Sequence, residues 1–303
     1  MKKTSKTVVF FGSGPVAAKS LSLLLNDFSV ELVITKPRAP HHKGPVPVLE
    51  LAASKNIPTL TASNKHELDQ LITANSFNSS LAILIDFGII VSQKVIDAFE
   101  LGIVNSHFSL LPKLRGADPI TFAILNGDTK TGVSLMLIDE GMDTGKLLTQ
   151  KTYHLPNTIT TPELTDELIA LSHQLLCEYL PPYMDGKLQP RQQPHTDRAT
   201  YTRKLTKADG VIDWNKPAIQ IEREIRAFQG WPGSRTSLFG KDVTITKAHA
   251  VPSDGTRGEV EIIKDTGELI VYAKTGYLCI EELKPAGKKE MPAKAFLSGL
   301  RLV

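Results

Sequence analysis

The sequence predicts an α/β protein: a mostly parallel sheet covered by helices on both faces, followed by a smaller strand-rich domain. Three observations carry this reading. Short apolar runs alternate with longer amphipathic stretches through the first half of the chain. A polar, proline-rich stretch (LQPRQQPHTDRA) occupies residues 188–199. Beyond residue 234, short alternating segments are separated by glycine turns such as FGKD, SDGTRG, KDTGE and KTGY.

In chain order, residues 7–11 (TVVFF) read as a first strand and residues 16–26 as a helix opened by a glycine turn. Residues 30–35 form a second strand and residues 45–55 a second helix. The run 81–85 (LAILI) is continuously apolar, as in a strand buried on both faces. Residues 102–106 and 132–138 supply two more strands, and residues 147–155 another. A helix with an apolar stripe spans 161–184, and helical spacing returns over 219–228. The segment 234–303 then fits a small β-barrel or a sandwich. These readings place one domain over 1–187, a linker over 188–203 and a second domain over 204–303.

A length of 303 residues accommodates two domains, and 41% hydrophobic with 22% charged residues is ordinary for a globular protein. No apolar run approaches the roughly 20 residues of a membrane helix. The basic start MKKTSK raises a signal peptide, but the apolar run after it ends at a Gly-Pro turn and is shorter than the h-region of about 7–15 residues. It reads as a strand. The two cysteines, Cys177 and Cys279, fall in no CxxC or Cys/His ligand pattern, which argues against disulfide scaffolds and zinc sites and fits a reducing cytoplasm. The net charge is +3, with 18 Lys/Arg against 14 Asp/Glu in residues 196–303 and 17 against 18 before them. The second half is the basic half, which weakly favours a polyanionic partner there.

Several motifs have ordinary explanations. Gly12-Ser-Gly14-Pro-Val-Ala17 matches a dinucleotide fingerprint, but the second strand ends in Thr35-Lys36-Pro37, without the acidic residue that binds a ribose hydroxyl. A plain strand-to-helix turn explains the glycines. Asp86-Phe87-Gly88 spells a kinase triplet with no other kinase feature beside it; it reads better as a functional loop at a strand end. His41-His42 reads as a polar loop.

The strongest constellation is Asn105-Ser-His107-Phe-Ser109-Leu110-Leu111-Pro112-Lys-Leu-Arg115-Gly116. Two residues apart on an extended segment, Asn105 and His107 project to one side. They offer an amide donor for a developing oxyanion and an imidazole that moves protons near neutral pH. About forty residues on, Asp139-Glu-Gly141-Met-Asp143-Thr144-Gly145 supplies a carboxylate that an adjacent strand end can bring to His107, as acyl transfer requires.

N-x-H-x-S-L-L-P, then R-G, then D-x-G-x-D-T-G together resemble the folate-dependent formyltransferase family. Lys204-Leu-Thr-Lys207, Ile212-Asp213-Trp214, Ile225-Arg226-Ala227-Phe228, Trp231-Pro232 and Pro285-Ala-Gly-Lys288-Lys289 resemble the C-terminal portion of its tRNA-directed members. The resemblance implies a Rossmann-like catalytic domain and a C-terminal, OB-like β-barrel. It implies 10-formyltetrahydrofolate as donor, no metal, and as acceptor the α-amine of methionine on initiator tRNA, read at the acceptor stem by a monomeric enzyme.

By the same resemblance Asn105, His107 and Asp143 are catalytic. The pterin is expected against the main chain of Asp86, Phe87, Gly88 and Ile89 and of residues 139–143, beginning at Asp139. Ser109, Leu110, Leu111 and Pro112 form the loop at the formyl site. Asp86 and Phe87 depart from the small residue and tyrosine usual in the family, and the loop 36–48 is shorter than usual. Arg38, Lys43, Arg203, Lys204, Lys207, Lys288 and Lys289 are expected along the RNA, with Trp214 and Trp231 packed in the core rather than stacked on a base. The alternatives are a sugar-nucleotide N-formyltransferase with the same donor, a nicotinamide oxidoreductase built on Gly12 to Ala17, and a catalytically idle RNA-binding protein.

Overall fold

Val8, Val9, Phe10 and Phe11 are all fully buried, so the first strand has no solvent face and must be covered on both sides. It lies inside the sheet of the first of two units into which the chain divides. A computed structural model describes residues 6–39 and 44–300. Unit 1 comprises the described residues up to Gly116, with Lys130–His154 and Thr165–Tyr201; unit 2 comprises Ala117–Thr129, Leu155–Leu164 and the described residues from Thr202 on.

Unit 1 contains β1 (Thr7–Phe11), α1 (Pro15–Leu24), β2 (Ser29–Thr35), α2 (Pro47–Ser54), β3 (Thr59–Thr61), α3 (Lys65–Ala74), β4 (Ala82–Leu84), α4 (Gln93–Ile96) and β5 (Ile103–His107). β6 (Arg115–Gly116) follows; after α5 (Pro119–Leu125), which belongs to unit 2, come β7 (Lys130–Leu137), β8 (Leu147–His154) and, from Thr165 on, α6 (Thr161–Met184). The seven-stranded sheet has the order β3-β2-β1-β4-β5-β7-β8. β1, β2, β3, β4 and β5 pair in parallel, whereas β7 is antiparallel to β5 and to β8. One face buries Val9, Phe11, Ile34 and Ala82 against Leu68 and Ile72 of α3 and against Phe99. Phe11 meets Phe87 and Phe99 edge-on at 5.4 and 5.9 Å.

Two helices of this unit were not anticipated from periodicity. α3 opens at Asn64, whose side chain accepts from Glu67 N, while Glu67 accepts from Ser63 N. α4, four residues long, opens at Ser92. Such N-caps satisfy amides that have no partner inside the helix.

The stretch expected as a linker over 188–203 lies on unit 1 as far as Tyr201. Arg191 and Leu147 exchange two main-chain bonds, and Arg115 N donates to Thr200 O in the short ladder of β6 with β9 (Tyr201–Thr202). Prolines here shape a docked strap rather than a free spacer.

Unit 2 packs α7 (Ala218–Ala227) on an antiparallel, curled sheet. Its strands are β10 (Ser234–Leu238), β11 (Lys241–Val251), β12 (Val260–Ile262), β13 (Leu269–Tyr272) and β14 (Tyr277–Pro285), in the order β10-β11-β14-β13-β12. β15 (Met291–Pro292) adds to β14, and α8 (Ala293–Ser298) follows. Ile221 and Ile225 of α7 bury against Ile245, Leu278 and Leu283, with Phe296 of α8 closing the core. Trp214 packs on this core and donates to Thr236 Oγ1. Trp231, expected inside, is 54% exposed. Among the described residues no helix is long and apolar enough to cross a membrane.

Candidate active site

β5 begins with an apolar pair and ends in Asn105-Ser106-His107, so the strand carries polar groups at one end. Its register fixes where they stand: Asn105 lies beside Leu84, the last residue of β4, and His107 beside Ser134 of β7. Strand alternation turns Ser106 to the opposite face from Asn105 and His107. There its hydroxyl pairs with Ser172 of α6 at 2.6 Å. Asn105 is half-buried, and no hydrogen bond to its side-chain amide is found among the described residues. The amide is free to donate to a ligand.

His107 is 6% exposed. Its Nε2 lies 2.9 Å from the carbonyl oxygen of Leu114. A carbonyl only accepts, so Nε2 carries the hydrogen and Nδ1 is the ring atom left for chemistry. Nδ1 stands 3.7 Å from Asp143 Oδ2, a charge contact longer than a hydrogen bond. The same carboxylate oxygen accepts from Gly116 N at 2.7 Å.

Asp143 reaches this position through the β7–β8 connection. Its backbone is left-handed (φ 53°), an uncommon state for a non-glycine residue. Three features hold it there. Asp139 Oδ1 accepts from Gly141 N and from Thr144 Oγ1, closing the loop on itself. Gln193 Nε2 donates to the carbonyls of Asp143 and Gly145, at 2.7 and 3.0 Å. Gly145 crosses Leu137 so closely that a Cβ would lie 1.7 Å from its carbonyl oxygen. Gln193 in turn accepts from buried Arg115 Nη2 at 2.6 Å. The sequence motifs give no role to Gln193 or Arg115. Gln193 sits in the proline-rich stretch, where nothing but its polarity marks it.

The Ser109 to Pro112 turn is built from the sheet side. Ser134 Oγ donates to Ser109 O and accepts from Leu111 N and Gln150 Nε2, while Gln150 also donates to Leu111 O. The Leu111–Pro112 peptide is cis. Ser109 is fully buried and its hydroxyl donates to Lys113 O, so its side chain fastens the turn rather than facing a ligand. Leu111 and Pro112 are buried, and Leu110 is half-buried.

The expected pterin loops follow β4 and β7. The Phe87 ring is 2% exposed and committed to the core; only its main chain is left for a ligand. Asp86 (φ 49°) and Gly88 are exposed, and Ile89 is half-buried. Ile90 and Met142, one beside each loop, are 75% and 62% exposed, among the few large apolar side chains left in solvent. A Cβ at Gly14 would lie 2.0 Å from Asp86 Oδ2, and one at Gly12 would lie 2.6 Å from Ala17 Cβ. Close packing therefore explains the glycine fingerprint, and a carboxylate lies where a dinucleotide phosphate would approach.

Of the expected RNA contacts, Lys43 lies outside the described residues, as do His41 and His42. Arg38 is exposed, donates to Gly44 O and pairs with Glu50 at 3.4 Å. Arg203 is held by both oxygens of Asp209 and lies over Phe122. That pair holds the guanidinium above its ordinary pKa and, with Thr206, holds the Asp209 carboxyl well below the carboxylate range. Lys204, Lys207, Lys288 and Lys289 are exposed, the last two on the turn between β14 and β15.

A family model described as formyl transferase matches residues 6–180, and one described as formyl transferase, C-terminal domain, matches residues 204–301. The methionyl-tRNA formyltransferase of Roseiflexus castenholzii is 36% identical over 305 residues, covering 98% of this chain and 97% of the relative. That of Myxococcus xanthus is 36% identical over 299 residues, covering 97% and 95%. Among solved structures, an N-formyltransferase from Helicobacter canadensis in complex with folinic acid and dTDP-3-aminofucose superposes with a TM-score of 0.66 at 19% identity, covering 91% of this chain and 99% of that one. HypX from Aquifex aeolicus in complex with tetrahydrofolic acid gives 0.63 at 17% identity, covering 96% and 46%. These two share the fold.

Proposed function

The chain belongs to the formyl transferase family, and we propose on that premise how its residues perform the family's chemistry. It transfers a formyl group from 10-formyltetrahydrofolate to the α-amine of methionyl-tRNA, which supports initiation of translation. The observation that carries this reading is the meeting of Asn105, His107 and Asp143 at one strand end, in a chain 36% identical to methionyl-tRNA formyltransferases over nearly its whole length. The enzyme acts in the cytoplasm as a monomer, on the initiator tRNA acceptor stem.

The amine nitrogen attacks the formyl carbon, and negative charge grows on the formyl oxygen. The Asn105 amide donates to that oxygen; such a donor is worth about 3–4 kcal/mol in the transition state. The amine proton passes to the pair formed by His107 Nδ1 and the Asp143 carboxylate, which stand 3.7 Å apart. The same proton goes to folate N10 as the carbon–N10 bond breaks, leaving the formylated amine and tetrahydrofolate. Gly116 N and Gln193 keep Asp143 oriented through the transfer.

The pterin lies against the main chain of residues 86–89 and 139–143, with Ile90 and Met142 offering apolar surface. On unit 2, Lys204, Lys207, Lys288 and Lys289 contact tRNA phosphates, which gives salt-dependent affinity. Exposed Trp231 offers a ring to a base. A sugar-nucleotide acceptor is the second reading, favoured by the fold shared with the Helicobacter enzyme. Asn105→Ala tests the assignment: formyl transfer should fall about a hundredfold or more with an unchanged melting temperature. Full activity in the folded variant contradicts it.

A further inference from the structure

Asp27, His173 and Cys177 form a three-ligand cluster within unit 1, distinct from the transfer site. His173 and Cys177 are four residues apart on α6 and therefore share one helix face. Asp27 lies in the turn after α1, whose chain is anchored by buried Phe28. His173 Nε2 is 3.1 Å from Asp27 Oδ2, and Cys177 Sγ lies 3.7 Å from Nε2 and 3.9 Å from Nδ1 of the same ring. One ligand atom from each residue lies within 4.8 Å of the other two, and no other such group of His, Cys, Asp or Glu side chains occurs among the described residues.

We propose that this cluster binds a divalent cation of the zinc class. Zinc–nitrogen and zinc–oxygen bonds of about 2.0–2.1 Å and a zinc–sulfur bond of about 2.3 Å, set at tetrahedral angles, separate N from O by about 3.3 Å and N from S by about 3.6 Å. The observed N–O separation lies within a few tenths of an ångström of the first value. Sγ, nearly equidistant from the two ring nitrogens, lies beside the ring rather than along the Nε2 lone pair, so rotation of the His173 and Cys177 side chains is what brings the three atoms to tetrahedral positions. Magnesium and calcium prefer all-oxygen shells; one imidazole, one thiolate and one carboxylate select a borderline-soft ion. The His173 and Asp27 side chains are 22% and 38% exposed, so an ion can enter and water can complete the fourth position.

The cation joins α6 to the turn after α1 and takes no part in formyl transfer. Ser172, the neighbour of His173, bonds Ser106 on the face of β5 turned away from Asn105 and His107. Neither cysteine falls in a local Cys/His ligand motif of the sequence. The i,i+4 spacing from His173 and the distant Asp27 become a ligand set only through the packing of α6 beside α1.

The experiment titrates Zn²⁺ into the full-length, chelator-stripped protein against a chromophoric chelator, with Co²⁺ used in parallel. One equivalent is expected, with a near-ultraviolet thiolate-to-cobalt charge-transfer band. Cys177→Ser should abolish the band and weaken Zn²⁺ about a hundredfold, His173→Gln should weaken it comparably, and Cys279→Ser should change neither. Circular dichroism confirms that each variant is folded. Failure of the wild-type protein to compete for one equivalent, or an undiminished band in Cys177→Ser, overturns the proposal. Neither readout depends on formyl transfer, so the proposed function stands or falls separately.

Discussion

His107 directs Nδ1 at the Asp143 carboxylate across 3.7 Å while its other nitrogen is tied to the Leu114 carbonyl. The ring is thereby fixed in one tautomer and one orientation before any substrate arrives. Asp143→Asn keeps the side-chain shape and an oxygen to accept from Gly116 N, but removes the charge facing Nδ1. Transfer should fall about 10²–10⁴-fold with little change in melting temperature. Steady-state kinetics beside a thermal melt check this; a loss below tenfold would remove Asp143 from the proton path.

Gln193 supports Asp143 through main-chain carbonyls and touches no reacting atom in this arrangement. Gln193→Ala should lower kcat about tenfold and cost about 1–2 kcal/mol of stability, because two carbonyls and Arg115 lose a partner. Gln193→Glu should be worse, since it replaces the donor with a second acceptor facing those carbonyls. Equal activity of the two variants would show that the loop holds itself.

Burial, with Asp27 close by, pushes the Cys177 thiol up to about 11. At pH 8 only about one molecule in a thousand carries the thiolate there. In the chelator-stripped protein, alkylation by iodoacetamide should therefore be slow at neutral pH and rise about tenfold per pH unit. Timed mass spectrometry measures this; a rate already level at pH 9 contradicts the stated environment.

How much of this was readable from sequence depended on how local the signal was. The first two strands, the long helix and the Asn105–His107 face follow from period and alternation, which neighbouring residues set. α3 was legible in principle from Asn64 and Glu67, whose spacing marks a helix start. The reversal of β7 was not, because an antiparallel strand buried between two neighbours and a buried parallel one share the same apolar composition. Gln193, Trp231 and the Asp27 cluster were equally hidden. Their surroundings come from residues dozens to more than a hundred positions away.

Lys288 and Lys289 project from an exposed turn, whereas the charge of Arg203 is already matched by Asp209. Replacing both lysines with glutamate should weaken tRNA binding and lower the slope of log affinity against log salt by about 1–2. Arg203→Ala should instead act mainly on the stability of unit 2. A salt titration of tRNA binding decides; an unchanged slope in the lysine variant contradicts the phosphate contacts.

Glu31 accepts four hydrogen bonds from the main and side chains of Asn78 and Ser79, at the entry to β4. Burial pushes its carboxyl up, but these bonds outweigh burial and hold it below the ordinary glutamate value. Its stabilising effect is therefore complete above the unfolded-state pKa of about 4.3 and is lost as pH falls through the lower folded value. Glu31→Gln should cost about 1 kcal/mol at pH 7 and progressively less in acid. Urea melts at pH 7 and pH 3 test this; an equal loss at both pH values contradicts it.

The most direct test of the central claim is formyl transfer from 10-formyltetrahydrofolate to charged initiator methionyl-tRNA, with an amino-sugar nucleotide in the same assay. A formylated tRNA and no formylated sugar are expected, with the product lost in Asn105→Ala. Transfer to the sugar alone would keep the chemistry of Asn105, His107 and Asp143 and contradict the acceptor.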